Sequence, residues 1–119
     1  MVSDLDTAGE LNLLRSLLDS MPEPVLVADM THTIIYMNRS AESEFSKGRA
    51  LIGCSLFDCH KGTSNEKIER QAAEMEAGTD ELLVSERPGR RTTVRAIRNA
   101  DGAMVGYYER YETIPVGGS

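Results

Sequence analysis

The chain has 119 residues and a net charge of -6, and 40% of its residues are hydrophobic. This length and composition are typical of one folded domain with a single core, not of a disordered segment. The acidic balance excludes a dominant nucleic-acid surface, and no apolar run approaches the roughly 20 residues that a membrane-spanning helix needs.

Two features of the sequence concern the compartment. The first ten residues, MVSDLDTAGE, are acidic and lack the basic start and the apolar stretch of a signal peptide. The chain has two cysteines, Cys54 and Cys59, which do not make a disulfide framework and suit a reducing environment. We therefore expect a cytoplasmic protein with no membrane segment in this chain.

The first predicted element is an amphipathic helix over residues 9–21, within an N-terminal unit of residues 1–22. One face of this helix carries apolar residues at spacings of three, four and three. These residues are Leu11, Leu14, Leu18 and Met21. Two interpretations stay open, because the stripe can pack on the domain's own surface or, since it follows a heptad, form the interface of a homodimer.

A β-hairpin is predicted next. It has a strand over 25–29 (VLVAD), a turn that contains His32 and a strand over 34–38 (IIYMN). We expect His32 to be solvated in this turn. Residues 38–53 predict short helical turns that end at glycines.

The clearest helix of the sequence follows these turns. Thr63 and Glu66 have the spacing of a capping box at its start. Ile68, Ala72 and Met75 form its apolar face, and Gly78 is placed to end it.

The remaining sequence predicts three strands, over 81–86, 91–98 and 103–114, joined by short turns. Short connections predict antiparallel neighbours. The fold class is therefore α+β, with a five-stranded antiparallel sheet, helices that cover one face, and the N-terminal amphipathic helix. The domain itself spans residues 23–114, and residues 115–119 are a linker or tail.

Five arginines cluster near the turn between the first two of these strands. They are Arg87, Arg90, Arg91, Arg95 and Arg98. We favour a solvent-facing edge that balances an acidic protein over a docking face for an acidic partner or an anionic ligand.

The order of elements and several local strings resemble the PAS sensory domain over roughly residues 14–114. YMNRSAESEF resembles the family's passage from strand to helix, in which an Asn closes the second strand. LIG resembles a helix lead-in, and NADGAMVGYYERYETI resembles the last hairpin and its long strand. The resemblance implies a ligand-binding space between the inner face of the sheet and the helices.

A narrower resemblance concerns FDCHKGTSNEKI, which is similar to a PAS subgroup with a Cys/Leu-His-Pro-x-Lys-Ser pattern. That subgroup includes haem-binding gas sensors whose histidine ligates iron, and domains with no established haem. On this resemblance His60 matches the histidine, Ser64 the serine and Lys67 the second lysine. The Asn-Cys-Arg-Phe-Leu string of flavin-cysteine PAS domains is missing, so flavin is not expected.

Three interpretations apply to the cysteines and the histidine of GCSLFDCH. A zinc site has the least support of all, and covalent haem has the next least. Covalent haem is disfavoured because the two cysteines are four residues apart and no export signal is visible. Non-covalent haem would use His60 as axial metal ligand, with Cys59 or Met104 as a sixth ligand. We favour a structural role, in which His60 caps or bridges the helix entry and Cys54 and Cys59 are packing residues.

The sequence as a whole therefore predicts a sensory or regulatory module of a larger signalling protein. The output domain would be a histidine kinase, a cyclic-dinucleotide enzyme or a transcription regulator. A ligand-free dimerisation module and a haem-based gas or redox sensor are the alternatives. No nucleophile–base arrangement and no phosphate-binding loop is evident, so the sequence predicts no enzyme.

Overall fold

The fold follows the predicted order of elements. A computed structural model describes residues 6–45, 47–59 and 63–115. The helices are α1 (Thr7–Ser20), α2 (Arg39–Glu44), α3 (Leu56–Cys59) and α4 (Thr63–Glu76), with a 3-10 turn at Gly48–Leu51. The strands are β1 (Val25–Asp29), β2 (Ile34–Met37), β3 (Glu81–Arg87), β4 (Arg90–Arg98) and β5 (Met104–Thr113).

The five strands form one antiparallel sheet in the order β2-β1-β5-β4-β3. This confirms the predicted fold class. The first and last strands of the chain pair at the centre of the sheet, with Val25 opposite Arg110. Gly106 permits this pairing, because a Cβ atom there would lie 2.6 Å from the carbonyl oxygen of Ala28.

Local chemistry sets the ends of the two long helices. The side chain of Asp6 accepts a hydrogen bond from the backbone N–H of Gly9 at 2.7 Å, which caps the start of α1. Gly78 has a φ of +127°, and its N–H donates to the carbonyl of Met75, so the chain leaves α4 through a left-handed residue. The predicted capping box involves the side chain of Thr63, which lies outside the part that the structure describes.

The core lies between α2, α3, α4 and one face of the sheet, which we call the inner face. Its largest fully buried side chains include Ile34, Met37, Leu56 and Met75. The helix α4 packs on β4 and β5. The helix α1 has no fully buried residue and lies against the opposite, outer face of the sheet.

One short helix was not predicted. The four residues of α3 are too few to show helical periodicity, and the helix depends on Ser55, whose hydroxyl accepts from the N–H of Phe57 at 3.1 Å.

Asn38 connects three elements from a fully buried position. Its Oδ1 accepts from the N–H groups of Val25 and Ala41, both at 2.9 Å, which starts β1 and caps α2. Its Nδ2 donates to the carbonyl oxygens of Leu18 and Glu23, also at 2.9 Å. One amide group therefore joins the end of α1 to the beginning of the sheet.

We expect Asn38→Ala to lower the free energy of unfolding by about 3–5 kcal/mol, because it leaves several buried backbone groups without partners. Urea unfolding followed by circular dichroism measures this loss. The matched control is Asn12→Ala on the exposed surface of α1, for which we expect a change within about 0.5 kcal/mol. Equal stability of the two variants would contradict the role assigned to Asn38.

Candidate functional site

Only some of the predicted ligand residues have side chains within the described part of the structure. Met104 opens β5 and is half-buried against the core. Cys59 ends α3, but its side chain, like all of His60, lies outside the described part. Cys54 is half-buried, and its thiol donates to the carbonyl oxygen of Ala50 at 3.6 Å, which fits the structural role expected of it. The haem interpretation of His60 and Cys59 therefore stays a prediction.

The inner face of the sheet carries polar groups that sequence reasoning missed. Tyr107, Glu109 and Tyr111 alternate along β5 and point toward the helical layer. Their neighbours across the sheet are mostly apolar, namely Leu26, Ala28, Val94 and Ala96, with Thr92 beside Tyr111. A carboxylate between two tyrosines at the centre of such a face is unusual for a packed core. The signal available in the sequence was the period-two string Tyr-x-Glu-x-Tyr.

Tyr111 is held by several contacts. Its hydroxyl donates to the carboxylate of Glu109 at 2.9 Å. The ring centroid lies 6.0 Å from that of Phe45, and the guanidinium carbon of Arg90 lies 4.4 Å from the same ring centroid. Arg90 also forms an ion pair with Glu44. Burial, with the nearby negative charge of Glu109, raises the pKa of Tyr111 well above the usual tyrosine range.

His32 is half-buried and in contact with other side chains, which corrects the expectation that it is simply solvated in the turn. Its Nδ1 lies 2.7 Å from the hydroxyl of Tyr107, and its ring centroid lies 4.8 Å from that of Phe57. These contacts tie the β1–β2 turn to β5 and α3. Burial raises the pKa of Tyr107 above the usual range, and the charges of Glu109 and Asp29 act in the same direction.

The side chain of Asp29 fixes the turn that positions His32 beside Tyr107. Its Oδ1 accepts from the hydroxyl and the N–H of Thr31 and from the N–H of Thr33. These bonds hold a tight turn in which His32 adopts a left-handed backbone with φ of 66°. They also lower the pKa of Asp29, with the bond from the Thr31 hydroxyl as the largest cause.

An apolar groove of about 530 Å³ separates α1 from the outer face of the sheet. It contains the whole predicted apolar stripe of α1, and its remaining wall comes from the strands. The lining residues are Leu11, Leu14, Arg15, Leu18, Met21, Val25, Val27, Ile35, Tyr36, Ile97 and Tyr108. The stripe thus faces the domain's own sheet but does not close on it, because Leu11 and Leu14 stay 49% and 56% exposed.

Most of the clustered arginines are neutralised within the chain. Arg91 pairs with Glu86 and Glu112, Arg95 with Glu81, and Arg98 with Asp80, in addition to the pair of Arg90 already described. This supports the interpretation of the cluster as a charge-balanced edge. Within residues 6–45, 47–59 and 63–115 no group of three or more His, Cys, Asp or Glu side chains could hold a metal ion.

The comparison with protein families decides which fold family this is. A family model described as "PAS domain" matches residues 12–76, more than half of the chain. The chain belongs to the PAS domain family. The resemblance of YMNRSAESEF to that family is thereby confirmed, and Asn38 of this string is the buried residue that joins α1 to the sheet.

Solved structures agree with this PAS fold. A C-terminal domain from Streptococcus mutans is 18% identical with a TM-score of 0.75, and the match covers 87% of this chain and 84% of that one. The PAS domain of BvgS from Bordetella pertussis is 15% identical with a TM-score of 0.68, covering 88% and 86%. A sensory box sensor histidine kinase from Vibrio cholerae is 16% identical with a TM-score of 0.63, covering 92% and 95%. No curated protein sequence matches the chain.

The longest helices of this PAS domain, α1 and α4, have 14 residues each in the described ranges. No helix in those ranges combines the length and the apolar character that crossing a bilayer requires.

The raised pKa values of Tyr107 and Tyr111 predict instability at alkaline pH. Above about pH 10 the unfolded chain loses these phenolic protons while the folded PAS domain retains them, so the free energy of unfolding falls as pH rises, by up to about 1.4 kcal/mol per pH unit for each tyrosine. Urea unfolding between pH 8 and pH 11 measures the slope. We expect Tyr111→Phe to be less stable at pH 8 but to lose stability less steeply above pH 10. Parallel curves for the variant and the parent chain would contradict this account.

Proposed function

We propose that this PAS domain is the sensory module of a larger signalling protein, and that it responds to a small ligand or cofactor state between the inner face and the helices. The proposal depends on the three polar side chains of β5 on the inner face, Tyr107, Glu109 and Tyr111. Polar side chains at the centre of a core face are typical of ligand-binding sites and atypical of a packed hydrophobic core. The sensory box histidine kinase among the structural neighbours supports a signalling context. A histidine kinase, a cyclic-dinucleotide enzyme or a transcription regulator would supply the output, and we place the module in the cytoplasm.

The terminal elements suit the transmission of such a response. The end of α1 is held by Asn38 and by Asp19, whose Oδ1 accepts from the hydroxyl of Tyr36 at 2.7 Å and from the N–H of Arg39 at 3.1 Å. Burial and Asp19 raise the pKa of Tyr36 to about 12. The rest of α1 is mostly exposed. A shift of the β1–β2 region would therefore change the orientation of the whole helix through its attached end. A ligand produces such a shift only if it binds one arrangement better than the other.

We further propose that the apolar surface of α1 is covered by a second copy of this chain. Leu13 and Leu17 are 58% and 59% exposed on α1, and Ile35 on the neighbouring strand is 51% exposed. Together with the open groove they form one apolar patch. The 14 residues of α1 include five leucines and only three charged side chains, which is unusual for a helix that faces water on most sides. A ligand-free dimerisation module is the alternative function that this patch favours.

A haem fits the described part of the inner face poorly. Haem carries two propionates, which call for cationic partners, whereas the inner face of β5 presents the carboxylate of Glu109 and the nearby Arg90 is paired with Glu44. We therefore prefer a small organic ligand over haem, with His60 as axial ligand only in the less favoured case.

Mass spectrometry of freshly purified protein tests the sensory proposal. We expect denaturation to release a small molecule, and hydrogen exchange of the loaded and stripped domains to differ in the helical layer, in α1 and in residues 110–114. A Soret band that is lost in His60→Ala would establish haem instead. If no molecule is released and no added compound changes exchange, the sensory proposal fails and the dimerisation module is favoured.

Sedimentation of a charged variant tests the dimer. We expect the double variant Leu11→Glu, Leu14→Glu to weaken self-association at least 100-fold, because it puts two carboxylates into the apolar patch. Both side chains are largely exposed, so its thermal midpoint should change little. Leu83→Glu is the matched control, since Leu83 is 56% exposed on the edge strand β3. A double variant that sediments like the control, or a parent chain that is monomeric, would refute the dimer.

A further inference from the structure

The groove between α1 and the outer face of the sheet stays open because the chain fixes only one end of its helical wall. The end of α1 is attached to the domain by the hydrogen bonds of Asn38 and Asp19. Earlier in the helix, Leu11 and Leu14 line the groove and yet stay 49% and 56% exposed. The first turns of α1 therefore stand off from the sheet.

The strand wall is too low to close this gap. It is formed largely by short β-branched side chains, those of Val25, Val27, Ile35 and Ile97. The open volume of about 530 Å³ lies within the range of small-molecule sites. An apolar space of this size lacks the close packing of a protein interior and offers water few polar partners. An occupant with apolar surface would therefore be stabilised there.

The groove also has a charged group on its wall. Of the described residues that line it, Arg15 alone carries a charge, and its guanidinium carbon lies 5.8 Å from the ring centroid of Tyr36. Arg15 forms no ion pair with any other described residue. Asp19, one turn further along α1, does not line the groove, and its Oδ1 accepts from the Tyr36 hydroxyl and from the N–H of Arg39. The groove thus combines apolar walls with a cation that has no ionic partner in the described ranges.

We propose that this groove binds a small amphipathic anion, with its aliphatic chain between α1 and the sheet and its carboxylate on the guanidinium of Arg15. The chain would remove apolar surface from water on both walls, and arginine pairs with carboxylates through charge-assisted hydrogen bonds. A cationic head group is disfavoured, because the described lining residues include no carboxylate and no side-chain amide. The site lies on the face of the sheet opposite the proposed sensory site, so the inference goes beyond that function and does not depend on it.

A free molecule suits the groove better than a membrane or a second copy of the chain does. The net charge of -6 disfavours approach to an anionic lipid surface. The groove has a wall on each side, which suits a thin chain. Leu13 and Leu17, which we assign to the contact with a second copy, do not line it. A second copy on these two leucines would close over the groove without filling it.

Four probes test this chemistry on the whole chain after removal of any bound molecule. They are hexanoate, octanoate, octanol and octylamine, titrated to about 3 mM with binding followed by the methyl resonances in NMR. We expect octanoate to bind with a Kd of about 1 mM or below and more tightly than octylamine. Affinity should rise from hexanoate to octanoate by up to about fourfold for each added methylene. The shifts should concentrate at Leu11, Leu14 and Val27, not at the core residue Val94.

Two variants with matched controls separate the charge from the apolar walls. Arg15→Gln should weaken octanoate about fivefold and leave octanol unchanged, whereas Arg70→Gln on the exposed surface of α4 should change neither. Val27→Phe fills part of the groove and should weaken both probes. Val105→Phe, at a position of β5 that is 47% exposed and does not line the groove, is its control. Arg15 is exposed, so its variant should keep the thermal midpoint of the parent chain.

Several outcomes would overturn the inference. They are no octanoate binding at about 3 mM, equal affinity for octanoate and octylamine, shifts confined to the inner face, or an equal effect of Arg15→Gln on octanoate and octanol. Methyl shifts at Leu11 and Leu14 that follow protein concentration but not octanoate would show that a second copy fills the groove instead. Retention by phosphatidylglycerol vesicles without octanoate binding would assign the surface to a membrane. The sensory proposal is tested separately, by the released molecule and by hydrogen exchange in the helical layer, so it would survive each of these results.

Discussion

The hydrogen bonds of Asn38 are the constraint on which the rest of this PAS domain depends. Two donors and one acceptor atom of a single buried amide satisfy four backbone groups from α1, β1, α2 and the segment between α1 and β1. No other standard side chain of this size offers both functions at such short range, since an aspartate would lack the donors and a leucine both. The position of α1 relative to the sheet is therefore set by the same group that starts β1 and caps α2.

The two faces of the sheet have different chemistry. The inner face carries Tyr107, Glu109 and Tyr111 among apolar neighbours, and the outer face carries an open apolar groove beneath α1. Alternation of side chains along β5 makes this separation possible, because each residue contributes to one face alone. The arrangement suits a module that recognises a small molecule on one side and a protein surface on the other.

Much of the fold could be predicted from the sequence because its signals are local. The turns at Pro88–Gly89 and Asp101–Gly102, the glycine after α4 and the alternation of the strands depend on neighbouring residues. The central pairing of β1 with β5 joins residues about eighty positions apart and leaves no local signal in the sequence. The contact of His32 with Tyr107 leaves no local signal either.

The apolar stripe of α1 was found by its periodicity, but periodicity could not show that the stripe would face an open groove. The environment of His60 is a prediction from resemblance alone. The inner-facing Glu109 was missed because the sequence analysis assigned no residue of the last strand to either face of the sheet.

The pairing of β1 with β5 also has a mechanical consequence. The chain enters β1 at Val25 and leaves β5 past Arg110, and these residues face each other across adjacent antiparallel strands, with the N–H of Tyr111 donating to the carbonyl of Pro24 at 3.1 Å. Tension between the two ends would therefore load the ladder from one end and open its hydrogen bonds one after another, the geometry in which a sheet yields at low force. Torsion or tension from flanking segments would act first on the two central strands, so the domain would report strain at its ends before any other part of the core was disturbed.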